Sequence, residues 1–234
     1  MKENVSQSSE AVFVVVPAYN EGAVIHSTLQ PLIDSSYSVV VVDDGSHDNT
    51  WSVLTALPVY AVRHPCNLGQ GAALQTGMTF ALRQKAEIIV HFDADGQHQV
   101  KDIESLIQPL RNGECDVVFG SRFLRQTDKQ AVPFLRRLIL RGAVMVNRLM
   151  VGVWQSDAYN GFRALSREAV EKIDLRENGY AHASEILSQI RRLKLIYVER
   201  PTTILYSEYS KAKGLSNWSA FNILIDMLLG RVFR

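Results

Sequence analysis

The sequence predicts an α/β fold in which helices flank a mostly parallel β-sheet. Two observations predict it: the first half of the chain alternates short apolar runs with longer amphipathic stretches, and the apolar runs show no polar alternation. Continuous runs of Val, Ile and Phe are typical of strands buried on both faces, and strands that alternate with helices form βαβ units. The 234 residues, 47% of them hydrophobic, suffice for one such domain with a buried core.

The predicted elements can be read in chain order. Strands are expected at 11–16, 39–42, 59–62, 87–92 and 116–119, with helices between them at 21–34, 49–57, 69–84 and 100–111. After Ser121 the pattern changes to a helical stretch at 133–154, a polar turn at 155–161, a short apolar segment at 162–165, helices at 167–173 and 181–193, a strand at 195–199 and an apolar helix at 215–229. We expect residues 1–10 to be a disordered tail, 11–214 to form the α/β domain and 215–234 to form a C-terminal amphipathic helix.

The composition narrows the functional class and the compartment. The formal net charge of +1 gives no overall electrostatic bias, so phosphates must be bound by local clusters, and nucleic acid is not expected as a partner. Cys66 and Cys115 lack the spacing of metal ligands or of a disulfide framework, which favours reduced thiols. No uncharged apolar stretch reaches the roughly 18 residues of a spanning helix, and residues 1–10 lack the apolar core of a signal peptide. We therefore expect a cytoplasmic protein that is soluble or peripheral.

Three predicted strand ends carry acidic side chains. The first strand runs into Pro17-Ala18-Tyr19-Asn20-Glu21, the second ends in Asp43-Asp44-Gly45-Ser46, and the fourth ends in Asp93-Ala94-Asp95-Gly96-Gln97-His98. In an open parallel sheet, ligands bind beyond the carboxyl ends of the strands. We therefore expect these carboxylates to converge on one crevice.

Such a cluster needs a positive partner, because carboxylates that lie together repel one another. Mg²⁺ or Mn²⁺, bound between carboxylates and substrate phosphates, would supply the missing charge. Asp93 and Asp95 are two residues apart, so in an extended segment both would face the same site, and we predict them as the metal ligands. The alternative interpretation is that Asp44 and Asp95 cap the turns that precede helices.

These motifs, together with Asn67-Leu68-Gly69-Gln70-Gly71-Ala72-Ala73, resemble the ordered motifs of family 2 glycosyltransferases with the GT-A fold. Downstream, Gly120-Ser121-Arg122 and Gly161-Phe162-Arg163 resemble the dolichol-phosphate mannosyltransferase-like branch, which transfers sugars to polyprenyl phosphates. The resemblance spans residues 12–214 and implies that 11–214 is a GT-A glycosyltransferase domain.

The resemblance also implies a role for each matching position. Substrate-binding positions would be Pro17, Tyr19 and Glu21 on the nucleoside, Asp44 on the base or ribose, Asp93 and Ala94 beside the metal, Gln97 and Arg122 on the diphosphate or donor sugar, and Lys213 in a loop that closes on the diphosphate. Asp95, Arg122 and Asp157 would be the catalytic residues, with Asp157 near the acceptor. One departure stands out, because many relatives carry Lys where this chain has Gln70.

The expected reaction is an inverting, metal-dependent transfer of sugar from a UDP- or GDP-sugar to a polyprenyl phosphate at a membrane surface. The alternative is a soluble glycosyltransferase that extends a glycan or another hydroxyl acceptor. A dinucleotide-binding oxidoreductase is not expected, since no Gly-x-Gly-x-x-Gly follows the first strand. A phosphoryl-accepting signalling domain is excluded because the third strand ends in Arg63 and His64 rather than in an acceptor aspartate.

Two amphipathic stretches are relevant to whether the protein binds a membrane surface. In 133–154, Arg136, Arg137, Arg141 and Arg148 share one side of a helix opposite an apolar face, which is typical of a helix in a membrane interface. The helix at 215–229 has a similar apolar stripe. The alternative for the helix at 133–154 is that it packs on the sheet of the domain with its arginines in solvent. For the last helix, core packing or a membrane-anchoring partner subunit explains the stripe equally well. We therefore expect a peripheral protein on the cytoplasmic face of the membrane.

Overall fold

A computed structural model describes residues 11–124, 144, 152–157, 160–179 and 181–205. Seven strands form one sheet in the order β3-β2-β1-β4-β6-β5-β7. They are β1 Val12–Ala18, β2 Ser38–Asp43, β3 Tyr60–Arg63, β4 Ile88–His91, β5 Val117–Ser121, β6 Arg163–Ser166 and β7 Tyr197–Pro201. All neighbouring strands are parallel except that β6 runs antiparallel to both β4 and β5. The predicted α/β class with a mostly parallel sheet is confirmed.

Six α-helices connect or cover these strands in the described part of the chain. They are α1 Ile25–Ile33, α2 Thr50–Leu54, α3 Gln70–Arg83, α4 Ile103–Arg111, α5 Arg167–Lys172 and α6 His182–Arg192. Helix α4 follows a 3₁₀ turn at Val100–Asp102. Each corresponds to a predicted helix, and the boundaries differ mainly at α1.

Helix α1 begins four residues later than the sequence pattern suggests. Asn20 has a φ of 54°, which breaks any helix at that point. The Glu21 amide donates to Thr50 Oγ1 at 2.9 Å instead of to a helical partner. Residues 21–24 therefore form a turn that fixes the exit of β1.

Alternate residues of the central strands feed two apolar layers, one on each face of the sheet. Val14 and Val16 pack with α1 and α4, whereas Phe13 and Val15 pack with α3, α5 and α6. All seven residues of β1 are buried. Burial on both faces explains why the strand reads as an uninterrupted apolar run rather than as an alternating one.

Strand β6 falls on the short apolar segment noted at 162–165, which the sequence pattern did not predict to be a strand. Its four residues, Arg163–Ser166, include only two apolar side chains, and the strand pairs with both β4 and β5 across long sequence separations. A run this short has no readable period. Its pairing supplies the stability that its own sequence pattern does not reveal.

Several expectations fall outside the described residues. These are the tail at 1–10, nearly all of the helix at 133–154, Lys213 and the helix at 215–229. Cys66 and Cys115 are both free thiols. Among the residues that are described, none of the helices has the length and apolar content needed to cross a bilayer.

Candidate active site

The three acidic strand ends lie on the same edge of the sheet, as predicted. Strands β2, β1 and β4 are parallel neighbours, so their carboxyl ends meet at one edge, which we call the rim. The backbone N–H of Asp44 donates to the Ala18 carbonyl at 2.8 Å, which joins the first two strand ends directly. Pro17 lies within β1, and Tyr19, 37% exposed, stands beside His47 at the start of the rim.

Asp44 is tied into the protein by both of its oxygens. Oδ1 lies 2.7 Å from His64 Nδ1 and accepts from the Leu68 amide at 2.9 Å, while Oδ2 accepts from the Gly69 amide at 2.7 Å. The side chain is only 4% exposed. The carboxylate thus holds the loop that leads into α3, a role of the kind that the capping interpretation gives to Asp44.

Asp95 lies in a turn after β4, not in the extended segment assumed from its spacing. Its two oxygens accept from the backbone and side-chain nitrogens of Gln97 at 3.0 and 2.7 Å. Burial and the negative charges of Asp93 and Glu21 raise the pKa of Asp95 to about 6. The negative charges of Glu21, after β1, and of Asp93 and Asp95, after β4, therefore lie close together. Ala94 and Glu21 are both buried.

Asp93 differs from Asp95 because described side chains hold both of its oxygens. Gln70 Nε2 donates to Oδ1 at 3.2 Å, and His98 Nε2 lies 2.9 Å from Oδ2. The His98 ring is buried and stacks on Phe162, with ring centroids 4.6 Å apart. Burial would raise the pKa of Asp93, but the His98 hydrogen bond and the charges of His98 and Arg163 outweigh it and lower that pKa.

Gln70 therefore occupies a defined position in this chain. The Gly69 amide binds Asp44 and the neighbouring Gln70 side chain binds Asp93, so the start of α3 joins the ends of β2 and β4. A neutral amide at this position donates a hydrogen bond to Asp93 without adding a charge. The start of α3 thus adds no cation to this part of the rim.

A buried ion pair joins two of the predicted residues, Arg122 and Asp157, at the end of β5 on the same edge of the sheet. Arg122 Nε and the Arg122 backbone N–H both donate to Asp157 Oδ2, at 2.7 and 3.1 Å. Arg122 is 6% exposed and Asp157 3%. Burial raises the pKa of Asp157 against the opposing effect of Arg122. The structure brings these two residues together, whereas the sequence placed one on the donor and one near the acceptor.

The family model described as glycosyl transferase family 2 matches residues 13–174, well over half of the chain. The chain belongs to this family. It is 31% identical to UDP-N-acetylglucosamine–dolichyl-phosphate N-acetylglucosaminyltransferase of Methanococcus voltae, over 95% of this chain and 96% of the relative. It is 34% identical to dolichol-phosphate mannosyltransferase of Pyrococcus furiosus, over 87% of this chain and 59% of the relative. The resemblance to the dolichol-phosphate branch is thereby confirmed.

Solved structures support the same fold for this glycosyltransferase. Glucosyl-3-phosphoglycerate synthase of Mycobacterium tuberculosis, in complex with Mn²⁺, uridine diphosphate and phosphoglyceric acid, superposes with a TM-score of 0.66. The alignment covers 95% of this chain and 78% of that one at 23% identity. At that identity the likeness concerns the fold alone, and it confirms the predicted GT-A architecture.

The rim of this glycosyltransferase suits a cation that is shared with substrate. Within the described residues, no group of three or more His, Cys, Asp or Glu side chains is arranged to hold a metal by itself. Asp95 forms no ion pair in the described part of the chain, and burial first, then the negative charge of Asp93, raises its pKa. Mg²⁺ sites commonly use one or two carboxylates plus substrate phosphates, so Asp95 fits the group, with Asp93 beside it.

Five further polar residues near the rim were not among the predicted site residues. His64 and His98 orient Asp44 and Asp93, and Arg163, His91 and His182 form a buried cluster behind Asp93. Burial lowers the pKa of His182 to about 4 and that of His91 well below its usual value, with the Arg163 charge acting in the same direction. His91 and His182 each lie between two apolar residues, a sequence pattern that is typical of the core. Only the packing of the folded chain brings them together with Arg163.

Proposed function

We propose that this glycosyltransferase transfers a sugar, with inversion, from a nucleoside-diphosphate sugar to a polyprenyl phosphate at a membrane surface, using a divalent cation. The observation that carries the proposal is the rim itself, where Asp95 lies beside Asp93 and Glu21 and forms no ion pair among the described residues. The relative from Methanococcus voltae, matched over nearly its whole length, is named for a nucleotide-sugar donor and a dolichyl-phosphate acceptor.

On the donor side, Asp95 would hold the cation and Gln97 would keep its carboxylate oriented. When bound, Mg²⁺ or Mn²⁺ would neutralise the charge that develops on the departing nucleoside diphosphate. Asp93, fixed by Gln70 and His98, stays predicted as the second metal ligand and as a contact to the donor. The predicted contacts to the nucleoside remain Pro17, Tyr19, Glu21 and Asp44.

On the acceptor side, little proton removal is needed. A phosphomonoester has a second pKa near 6, so it is largely ionised at neutral pH. Asp157 would act here mainly by holding Arg122, whose backbone and side chain both donate to it, in a position to contact phosphate. Lys213, outside the described residues, stays predicted as a further contact to the diphosphate, and peripheral binding at the cytoplasmic face is part of the proposal.

The test is a transfer assay with the purified chain. Labelled UDP- and GDP-sugars are each incubated with undecaprenyl or dolichyl phosphate in detergent, with Mn²⁺, with Mg²⁺ or with EDTA. We expect label in the organic phase for one donor, and loss of that label with EDTA. The matching polyprenol without its phosphate serves as the control acceptor.

Two results would reject the proposal. Transfer to a soluble oligosaccharide with none to lipid phosphate would favour the glycan-extending alternative. Full activity in EDTA, with the cation depleted by chelation, would remove the metal from the mechanism. The anomeric configuration of the product, measured by NMR, tests inversion.

A further inference from the structure

Gly161 and Phe162, the two residues that precede β6, adjoin the end of β4. Strands β4 and β6 are antiparallel, with His91 opposite Arg163. Continuing that register by two residues places Asp93 opposite Gly161. The first two residues of the Gly-Phe-Arg motif thus lie beside a carboxylate that the proposed function assigns to the cation.

Gly161 leaves the room that the Asp93 carboxylate occupies. A Cβ atom added to Gly161 would lie 2.6 Å from Asp93 Oδ2 and 2.9 Å from Oδ1, too close for non-bonded atoms. The φ of Gly161 lies outside the left-handed region, so space rather than backbone conformation requires a glycine here. A glycine in a sheet often marks such a close approach. Because both carboxylate oxygens are hydrogen-bonded to other side chains, Asp93 can make way for a larger residue only by losing those bonds.

Phe162 supports the side chain that binds Asp93. The Phe162 ring is fully buried and stacks on the His98 ring, with centroids 4.6 Å apart and an angle of 29° between the planes. The Phe92 ring also contacts His98, edge-on, with centroids 5.4 Å apart. On the backbone, the Phe162 carbonyl accepts from the Gly120 amide at 2.8 Å, which fixes the residue to β5. The His98 ring therefore has little freedom to turn away from Asp93.

The hydrogen bonds of Asp93 leave it accessible. His98 Nε2 lies 2.9 Å from Asp93 Oδ2, whereas His98 Nδ1 is buried and has no hydrogen-bond partner in the described part of the chain. Gln70 donates to the other carboxylate oxygen. The Asp93 side chain, bound at both oxygens, is still 30% exposed at the rim.

We propose that Gly161 and Phe162 are positioning residues that prepare Asp93 for binding a divalent cation. Gly161 gives the carboxylate its room, and Phe162 fixes the His98 ring, so the carboxylate is held in one orientation before a cation binds. The inference rests on the proposed function, which supplies the cation. Groups that orient a metal-binding side chain typically contribute about 10–100-fold to metal affinity.

The first test follows Mn²⁺ binding by electron paramagnetic resonance, with the purified chain alone and with UDP or GDP. Gly161→Ala places a methyl group against the carboxylate and should weaken Mn²⁺ binding about tenfold or more. Gly179→Ala is the matched control, since a Cβ at Gly179 meets no atom within 4 Å, and it should leave Mn²⁺ binding unchanged. Wild-type Mn²⁺ affinity in Gly161→Ala would overturn the role of Gly161.

A double-substitution cycle shows whether Gly161 acts through Asp93. Asp93→Ala removes the carboxylate that the new methyl group would meet. Gly161→Ala should therefore lower the melting temperature of the wild type but not that of Asp93→Ala. An equal loss in both backgrounds would show that Gly161 serves general packing, and it would reject the inference without any measurement on the metal.

Two variants of His98 test the second contact independently of whether Gly161→Ala folds. His98→Leu keeps an apolar contact with Phe162 but removes the donor, so Mn²⁺ binding should weaken about tenfold. His98→Gln restores an N–H near the position of Nε2 and should recover most of the affinity. Wild-type affinity in His98→Leu, or an equal loss in both variants, would reject the hydrogen bond as the orienting contact.

Phe162 is tested through the ring that it supports. Phe162→Leu should weaken Mn²⁺ binding in the wild type but not in the His98→Leu background, where the supported ring is gone. An equal loss in both backgrounds would remove Phe162 from the proposal. If the wild type binds no Mn²⁺, alone or with either nucleotide, the cation of the proposed function fails together with this inference.

Discussion

The two halves of the rim have opposite electrostatic characters. At the ends of β1 and β4, Glu21, Asp93 and Asp95 gather negative charge, and Asp95 has no ion pair in the described residues. At the end of β5 and the start of β6, Arg122 is neutralised by Asp157 and Arg163 adds a positive charge. Among the described residues, acidic side chains therefore outnumber basic ones in the first half, and basic side chains outnumber acidic ones in the second.

The difference in charge gives the aspartates of the two halves different roles. Surplus negative charge costs stability until a cation binds, whereas the loss of one partner of the buried Arg122–Asp157 pair leaves an uncompensated buried charge. Substitutions of aspartate should therefore have opposite consequences on the two sides. On the β4 side they should affect chemistry, and on the β5–β6 side they should affect folding first.

The largest effect is expected at Asp95. Asp95→Asn removes the charge that would hold the cation, and the rate of transfer should fall by about 10²–10³-fold, the usual cost of losing one electrostatic contact to a transition state. Because the substitution also relieves repulsion from Asp93 and Glu21, the melting temperature of the metal-free protein should not fall. Asp34→Asn, at an exposed position, is the matched control. A near-wild-type rate of transfer in Asp95→Asn would contradict the proposed difference between the two halves of the rim.

Asp157 should show the reverse order of effects. Asp157→Asn leaves Arg122 buried without its counter-charge, which costs about 3–5 kcal/mol of unfolding free energy. Urea unfolding measures the loss. Replacing both partners, with Arg122→Met and Asp157→Leu together, should cost less than the single change, since no buried charge stays unpaired. A single variant as stable as the wild type would show that the pair does not support this half.

The third prediction concerns acid stability. The pKa of His182 is about 4 in the folded protein and about 6.5 when unfolded, so the unfolded chain takes up the proton first. Stability from this residue is therefore complete above pH 6.5 and is lost as the pH falls toward 4, by about 1–2 kcal/mol between pH 7 and 5.

His182→Asn should flatten that part of the stability curve. Unfolding in urea at pH 7 and pH 5 measures the change in both proteins. His47→Asn, near the rim but exposed, is the control. Identical pH dependence in wild type and His182→Asn would place the acid sensitivity elsewhere.

The smallest effect is expected at Gln70. Gln70→Ala removes one hydrogen bond to Asp93, which His98 still holds, so the transfer rate should fall by about fivefold, or roughly 1 kcal/mol. Gln108→Ala, an exposed glutamine on α4, should leave the rate unchanged. A hundredfold loss in Gln70→Ala would mean that the amide contacts substrate directly.

The fold was largely readable because its strands are buried on both faces. Val39–Val42 and Ile88–Val90 have almost no alternative to being central strands, and all of these side chains are buried. Strand β6 could not be read, because four residues that begin with Arg163 carry no period and are stabilised by pairing on both sides. The predicted first helix began four residues too early. The turn that precedes it depends on the bond from the Glu21 amide to the Thr50 hydroxyl, 29 residues away in the chain.

The site was readable where chemistry follows directly from a strand end. Asp44, Asp93 and Asp95 could be placed at one edge because parallel strands end together. The individual environments of these aspartates could not be predicted. Their hydrogen-bond partners differ and come mostly from other parts of the chain: His64 for Asp44, and His98 and Gln70 for Asp93. Spacing alone suggested that Asp93 and Asp95 were equivalent, but the turn after β4 gives them different partners.

The reversed direction of β6 has a topological consequence. Strand β5 ends at the rim with Ser121, and β6 begins there with Arg163, so the intervening segment 122–162 both leaves and returns at the same edge. Insertions or deletions in such an excursion require no crossover and leave the strand order untouched. The architecture therefore allows this segment to vary in length and sequence while the ends of β1, β2 and β4 keep their positions.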